Sequence, residues 1–193
     1  MAERICYLNG LYIKEREAKI SILDWGLSEG GVYDLARTYN HIPFKLKLHI
    51  GRLFRSIRSL PFIQFDLTPE EVYEITLQVL EQNERCLDPQ DDWAILFRIT
   101  RGIQFVSSSK PTFYIHTVPL PFGCTKEQMA RWYTEGAHLV VPSTRQIPPQ
   151  CLDPKIKHTN RLCNNLAEYE ARLIDSEAFT LMLDIHGVAA DTA

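Results

Sequence analysis

The chain has 193 residues, 45% of them apolar and 23% charged, with 21 Lys and Arg against 24 Asp and Glu. That much apolar surface can offset the entropy of ordering, so a disordered chain is excluded. The net charge of −3 gives no electrostatic reason to expect a nucleic-acid partner.

No stretch approaches the ~20 apolar residues of a membrane span. Met1 to Gly10 has a polar start and no apolar core of the signal-peptide kind, so a cytoplasmic protein is expected. Cys6, Cys86, Cys124, Cys151 and Cys163 form no CxxC pair. Buried free thiols are therefore expected, with no disulfide framework and no zinc site.

The opening, Ile5 to Ile13, is two short β-type runs around Asn9-Gly10, a dipeptide that favours a type I′ hairpin turn. Leu35 to Tyr39 and Ile42 to Phe44 flank Asn40-His41 and predict a second hairpin. Leu46, Ile50, Leu53, Ile57 and Leu60 are spaced as one face of a helix, which Pro61 ends. Thr68-Pro69-Glu70-Glu71 is a capping box with Pro at the first helical position, and it opens a second helix running to about Asn83.

Trp93 to Ile99 and Thr112 to Val118 predict neighbouring strands. Pro119 to Gly123 has the composition of a linker. Beyond it come a short helix or turn near Lys126–Trp132 and a strand over 138–141. Asn160 then opens a helix with Leu162, Leu166, Tyr169 and Leu173 on one apolar face. A strand over 179–183 follows, then a turn at His186-Gly187, and the start of a strand at Val188. The pattern is α+β in two domains.

Among many lysines, Lys157 stands between Ile156 and the helix-opening Asn160. Partial desolvation beside a helix N-terminus disfavours an ammonium. A neutral amine is what a Schiff-base nucleophile needs. A solvated surface lysine is the alternative. The histidines show no ligand spacing, so no metal site is expected. No GxGxxG, Walker loop or GxSxG is present.

Ile156 to Ala167, followed by Glu170-Ala171, resembles the pyridoxal-phosphate lysine signature of the fold-type IV (class-IV) aminotransferases. That family includes branched-chain aminotransferases, D-amino-acid transaminases, (R)-selective amine transaminases and 4-amino-4-deoxychorismate lyases. The likeness covers essentially the whole chain and keeps the family's order. It runs through Leu8-Asn9-Gly10, Ile20 to Gly26 with Asp24, Gly31-Val32-Tyr33-Asp34, then His49 to Leu53 with Ser56, Thr100-Arg101-Gly102, and Asp184 to Gly187.

The resemblance implies the following roles. Lys157 would hold pyridoxal 5′-phosphate covalently and shuttle a proton at the substrate Cα. Arg52 would bind the cofactor phosphate, for which a permanently charged fork is suited. Asp191 stands where the family usually has glutamate and would keep the pyridine nitrogen protonated, with a reach shorter by roughly 1.5 Å. Tyr33 matches an aromatic position of the substrate pocket. Arg37 and Arg98 match arginines of bacterial branched-chain enzymes, with an ion-pair role on strands as the alternative. Ile103 to Ser107 lacks the Arg-x-His carboxylate trap of typical D-amino-acid transaminases, and Arg161 replaces a tyrosine often found in branched-chain enzymes.

The implied architecture is a small α/β N-terminal domain over residues 1–120, a linker and start of the large domain over 121–135, and an incomplete cofactor-binding domain over 136–193. The implied reaction is transfer of an amino group from a branched-chain or similar amino acid to a 2-oxo acid. A lyase or D-amino-acid/(R)-amine transaminase on the same scaffold, and an inactive incomplete domain, are the alternatives. A homodimer is expected. Such a protein would continue past Asp191, so the chain is expected to be the N-terminal part of a longer enzyme. Alone it would bind cofactor weakly and expose a sheet edge.

Overall fold

A computed structural model describes residues 3–121 and 123–192. Met1, Ala2, Phe122 and Ala193 lie outside the described residues, and Phe122 is one position of the expected linker. The chain divides into two compact units. The first is Met1–Phe122 together with Ile156–Thr159, and the second is Gly123–Lys155 with Asn160–Ala193. Four residues expected in the large domain, Ile156–Thr159, thus group with the first unit.

The first unit is built on β1 (Ile5–Leu8), β2 (Leu11–Lys14), β3 (Gly31–Tyr39), β4 (Ile42–Pro43), β5 (Trp93–Thr100) and β6 (Phe113–Pro119). They form one six-stranded sheet in the order β2-β1-β6-β5-β3-β4. Both expected hairpins are present. Asn9 and Gly10 have φ of 49° and 96°, and Asn40 and His41 have 49° and 66°. These positive values are what a type I′ turn requires. The β5–β6 pairing expected from the two β-rich runs is also formed, in antiparallel register with Phe97 opposite Ile115.

Helices α1 (Leu46–Arg58) and α2 (Pro69–Asn83) bury Leu46, Ile50, Leu53 and Ile57, and Val72 and Val79. The capping box of α2 has both reciprocal hydrogen bonds between Thr68 and Glu71. Along β3 burial alternates with the period of two that a strand imposes. Val32, Asp34, Ala36 and Thr38 are buried in register with Phe97 and its neighbours, whereas Tyr33, Leu35 and Arg37 are partly exposed on the opposite face. Arg98 lies directly across from Tyr33 on that more open face, with Tyr114 beyond it.

The second unit holds α3 (Lys126–Glu135), β7 (Leu139–Val140), α4 (Leu162–Ile174), β8 (Phe179–Thr180), β9 (Met182–Leu183) and β10 (Ala189–Asp191). Of the short helix or turn expected near Lys126–Trp132, the helix is found; α3 runs on to Glu135 and is opened by a capping box between Thr125 and Gln128. β7 pairs parallel with β8, and β9 antiparallel with β10.

Helix α4 departs from expectation twice. It begins at Leu162 with Arg161 at the cap, not at Asn160. Its buried residues are Asn164, Ala167 and Ala171, with Ala171 clustering with Val140 and Ala178. Leu162, Leu166, Tyr169 and Leu173 do share one face, but each is more than half exposed. The small side chains give the close approach to the short β7–β8 pair. Among the described residues nothing covers the leucine face.

The cysteines differ from expectation as well. All five are free, but only Cys6 is buried, and Cys151 is exposed.

Candidate active site

Lys157 stands in extended backbone along the outer edge of β3, not at a helix N-terminus. Val32 and His158 form an antiparallel bridge. The Tyr33 amide donates to the Lys157 carbonyl at 2.9 Å, and the Thr159 amide donates to the Gly31 carbonyl at 2.8 Å. The Gly31 amide donates to Thr159 Oγ1 at 2.7 Å. Gly31 is also held close against β5, where a Cβ would lie 2.1 Å from the Ile99 carbonyl oxygen. From the other side, α1 holds the same segment. The Lys157 amide donates to Ser56 Oγ at 3.0 Å, and that hydroxyl donates to the Arg52 carbonyl at 3.2 Å.

The Lys157 side chain runs along Tyr33. Its Nζ lies 3.2 Å from the Tyr33 hydroxyl and 4.3 Å from the ring centroid. An amine against both the edge hydroxyl and the face of a phenol has its direction fixed and one face taken from water. Of the expected pocket residues, Tyr33 is therefore beside the amine, and Arg98 is its cross-strand partner. Arg37 is engaged elsewhere. It pairs with Asp92 at 3.7 Å, donates from Nε to the Thr38 carbonyl, and lies over the Tyr39 ring. That is the ion-pair role on a strand. Burial and the Arg98 charge push the His116 imidazolium below its ordinary range on this same face.

Arg52, on α1, forms a two-pronged contact with Asp34. Nε donates to Oδ2 and Nη2 to Oδ1, both at 2.7 Å. This pairing raises the Arg52 guanidinium above its ordinary value. His49 Nδ1 lies 2.9 Å from the same Oδ1. The sequence singled out Arg52 and gave no role to Asp34, His49 or Ser56. The signal was available, since all three sit within the stretches 31–34 and 49–56 that carried the family likeness.

Asp191 belongs to the second unit. Asn164 Nδ2 donates to its Oδ2 at 3.3 Å, and the Thr192 amide to its Oδ1 at 2.9 Å. It lies opposite Met182 in the β9–β10 pair. With Gln146, Pro148, Pro154 and Asp184 it lines a cavity of about 480 Å³ in that unit. Glu170 accepts from the amides and hydroxyls of Ser143 and Thr144, which lowers its pKa to about 2.

Residues 31–193 match the family described as Amino-transferase class IV. The chain belongs to that family. It is 33% identical over 182 residues to a putative branched-chain-amino-acid aminotransferase of Methanocaldococcus jannaschii, covering 91% of this chain and 58% of that protein. It is 28% identical to a D-alanine aminotransferase of Staphylococcus epidermidis, over 93% of this chain and 61% of that one. Its fold matches the branched-chain aminotransferase of Thermoproteus uzoniensis solved with norvaline. There the TM-score is 0.82 at 23% identity, covering 99% of this chain and 63% of that chain. The chain thus spans about three fifths of the length of these relatives. The fold class expected from the sequence, α+β of the fold-type IV aminotransferase kind, is the one found.

Proposed function

We propose that this chain carries the lysine half of a pyridoxal 5′-phosphate-dependent aminotransferase acting on a branched-chain or similar amino acid and a 2-oxo acid. The observation that carries the reading is Lys157, whose backbone is fastened to β3 and α1 and whose amine is set against Tyr33. Membership of the class IV family supports it.

The residues present in each unit have the chemistry to hold parts of the cofactor. Lys157 supplies a primary amine for covalent attachment. Arg52 supplies a guanidinium whose Nη1 is not spent on Asp34. Asp191 supplies a carboxylate for a protonated ring nitrogen. When bound, the cofactor supplies an electron sink for the bond broken at the substrate Cα. Lys157 takes the Cα proton and returns it, and the Tyr33 hydroxyl holds the amine in place between the two transfers. Tyr33, Leu35 and Arg98 offer the more open face of the sheet to a substrate side chain. Domains over 1–120 and 136–193, joined through 121–135, a cytoplasmic setting and a homodimer go with this reading.

The test is product analysis of the purified protein with pyridoxal 5′-phosphate, a branched-chain amino acid and 2-oxoglutarate. Glutamate appearing in step with the branched-chain oxo acid supports amino transfer. Turnover of D-alanine in place of branched-chain L-amino acids supports the D-amino-acid alternative instead. Pyruvate released from aminodeoxychorismate with no amino acceptor supports the lyase alternative.

A further inference from the structure

We infer that Asp34, seconded by His49, is the positioning residue that aims Arg52 at a phosphate-bearing ligand. The inference rests on the proposed role of Arg52 and adds the part that gives that arginine its direction.

Asp34 has a fully buried side chain on the core face of β3, opposite Phe97. A carboxylate in that setting is strongly disfavoured unless its lone pairs are filled. Here they are filled. Oδ2 accepts from Arg52 Nε, while Oδ1 accepts from Arg52 Nη2, from the Leu35 amide at 2.7 Å and from His49 Nδ1.

His49 and Arg52 stand three residues apart on α1, which puts them on one side of the helix. Asp34 thus binds both at once and sets the rotation of that helix face against β3. A guanidinium is planar, so fixing its Nε–Nη2 edge against Asp34, with Nη2 also 3.3 Å from His49 Nδ1, fixes where Nη1 points. The Arg52 side chain is 41% exposed although its partner is fully buried. One edge of the fork is anchored in the core and the other is left for an anion. A lone surface arginine would lose several rotamers on binding phosphate. This one has already lost them on folding.

The experiment compares pyridoxal 5′-phosphate with pyridoxal, which has the same aldehyde and no phosphate. Dissociation constants are measured by fluorescence quenching for the unaltered protein, Asp34→Asn, Arg52→Ala and the double variant. The inference predicts that Asp34→Asn weakens pyridoxal 5′-phosphate about tenfold, since a hydrogen bond to a charged group is worth that much. Pyridoxal binding stays unchanged, and Asp34→Asn has no further effect once Arg52 is alanine. Equal loss for both ligands, or full additivity with Arg52→Ala, overturns it. An Arg52→Ala variant that binds pyridoxal 5′-phosphate normally shows instead that the role of Arg52 itself is wrong. If Asp34→Asn does not fold, His49→Ala at its partly exposed site serves. A loss of a few-fold confined to the phosphorylated ligand and absent in the Arg52→Ala background supports the inference, and any other pattern overturns it.

Discussion

The backbone amide of Lys157 donates to the hydroxyl of Ser56 at 3.0 Å, across 101 positions of sequence. Ser56 is itself buried and donates its own proton to the Arg52 carbonyl. One hydroxyl therefore ties the proposed cofactor lysine to the helical turn that carries the proposed phosphate arginine.

Ser56→Ala removes the acceptor and leaves the Lys157 amide unpaired. An unsatisfied buried donor costs about 1–3 kcal/mol, and this part-buried amide should fall at the low end of that range. The expected result is a lower urea midpoint together with slower attachment of pyridoxal 5′-phosphate. Ser56→Thr, which keeps the hydroxyl, is expected to recover the attachment rate in part.

Tyr33→Phe retains the ring beneath the Lys157 amine and loses the 3.2 Å contact with its hydroxyl. Loss of one such hydrogen bond corresponds to about a threefold to tenfold change. Amino transfer is expected to slow by that factor in kcat, with cofactor still attached. Rapid-mixing kinetics with Cα-deuterated substrate check this, because the isotope effect should grow as proton transfer becomes limiting.

Gly31→Ala is expected to be destabilising although it adds a single methyl. The added methyl would lie 2.1 Å from a backbone oxygen of β5, which cannot rotate away. Overpacking of this kind costs about 1–3 kcal/mol. The shift also pulls on the three bonds between Gly31 and Thr159, so thermal unfolding and cofactor attachment should fall together.

Acid should act on the second unit through Glu170. Its carboxyl is held down to about 2 by Thr144 and Ser143, against an ordinary value of 4.5. A depressed folded pKa contributes stability that is present above the unfolded value and is lost as pH falls through the folded one. Unfolding followed from pH 4.5 down to about 2 should therefore show a progressive loss. That part of the slope should be absent in Glu170→Gln.

Most of the first unit was legible in sequence because its signals are local. Asn9-Gly10 tolerates the positive φ that a tight hairpin needs, Asn40 does the same in the second hairpin, Thr68 and Glu71 cap reciprocally, and the apolar positions of α1 recur at helical spacing. The setting of Lys157 was not legible. Its neighbour Asn160 reads as a helix opener, but the bonds from Tyr33 to Lys157 and from Thr159 to Gly31 bridge His158 to Val32 of β3. The helix starts only at Leu162. The face of α4 was misjudged for a related reason. Periodicity marks an apolar stripe without saying what covers it, and the alanines at 167 and 171 allow closer packing than leucines would. Asp34 was passed over because nothing in a strand pattern reveals that a carboxylate on the core side will meet an arginine eighteen residues on.

Lys157 is proposed as the point of cofactor attachment. The direct measurement is borohydride reduction of the purified protein mixed with pyridoxal 5′-phosphate, followed by peptide mass spectrometry. A stable phosphopyridoxyl adduct is expected on the peptide containing Lys157, and none on the Lys157→Ala protein. An adduct spread over other lysines, or one that persists in Lys157→Ala, would contradict it.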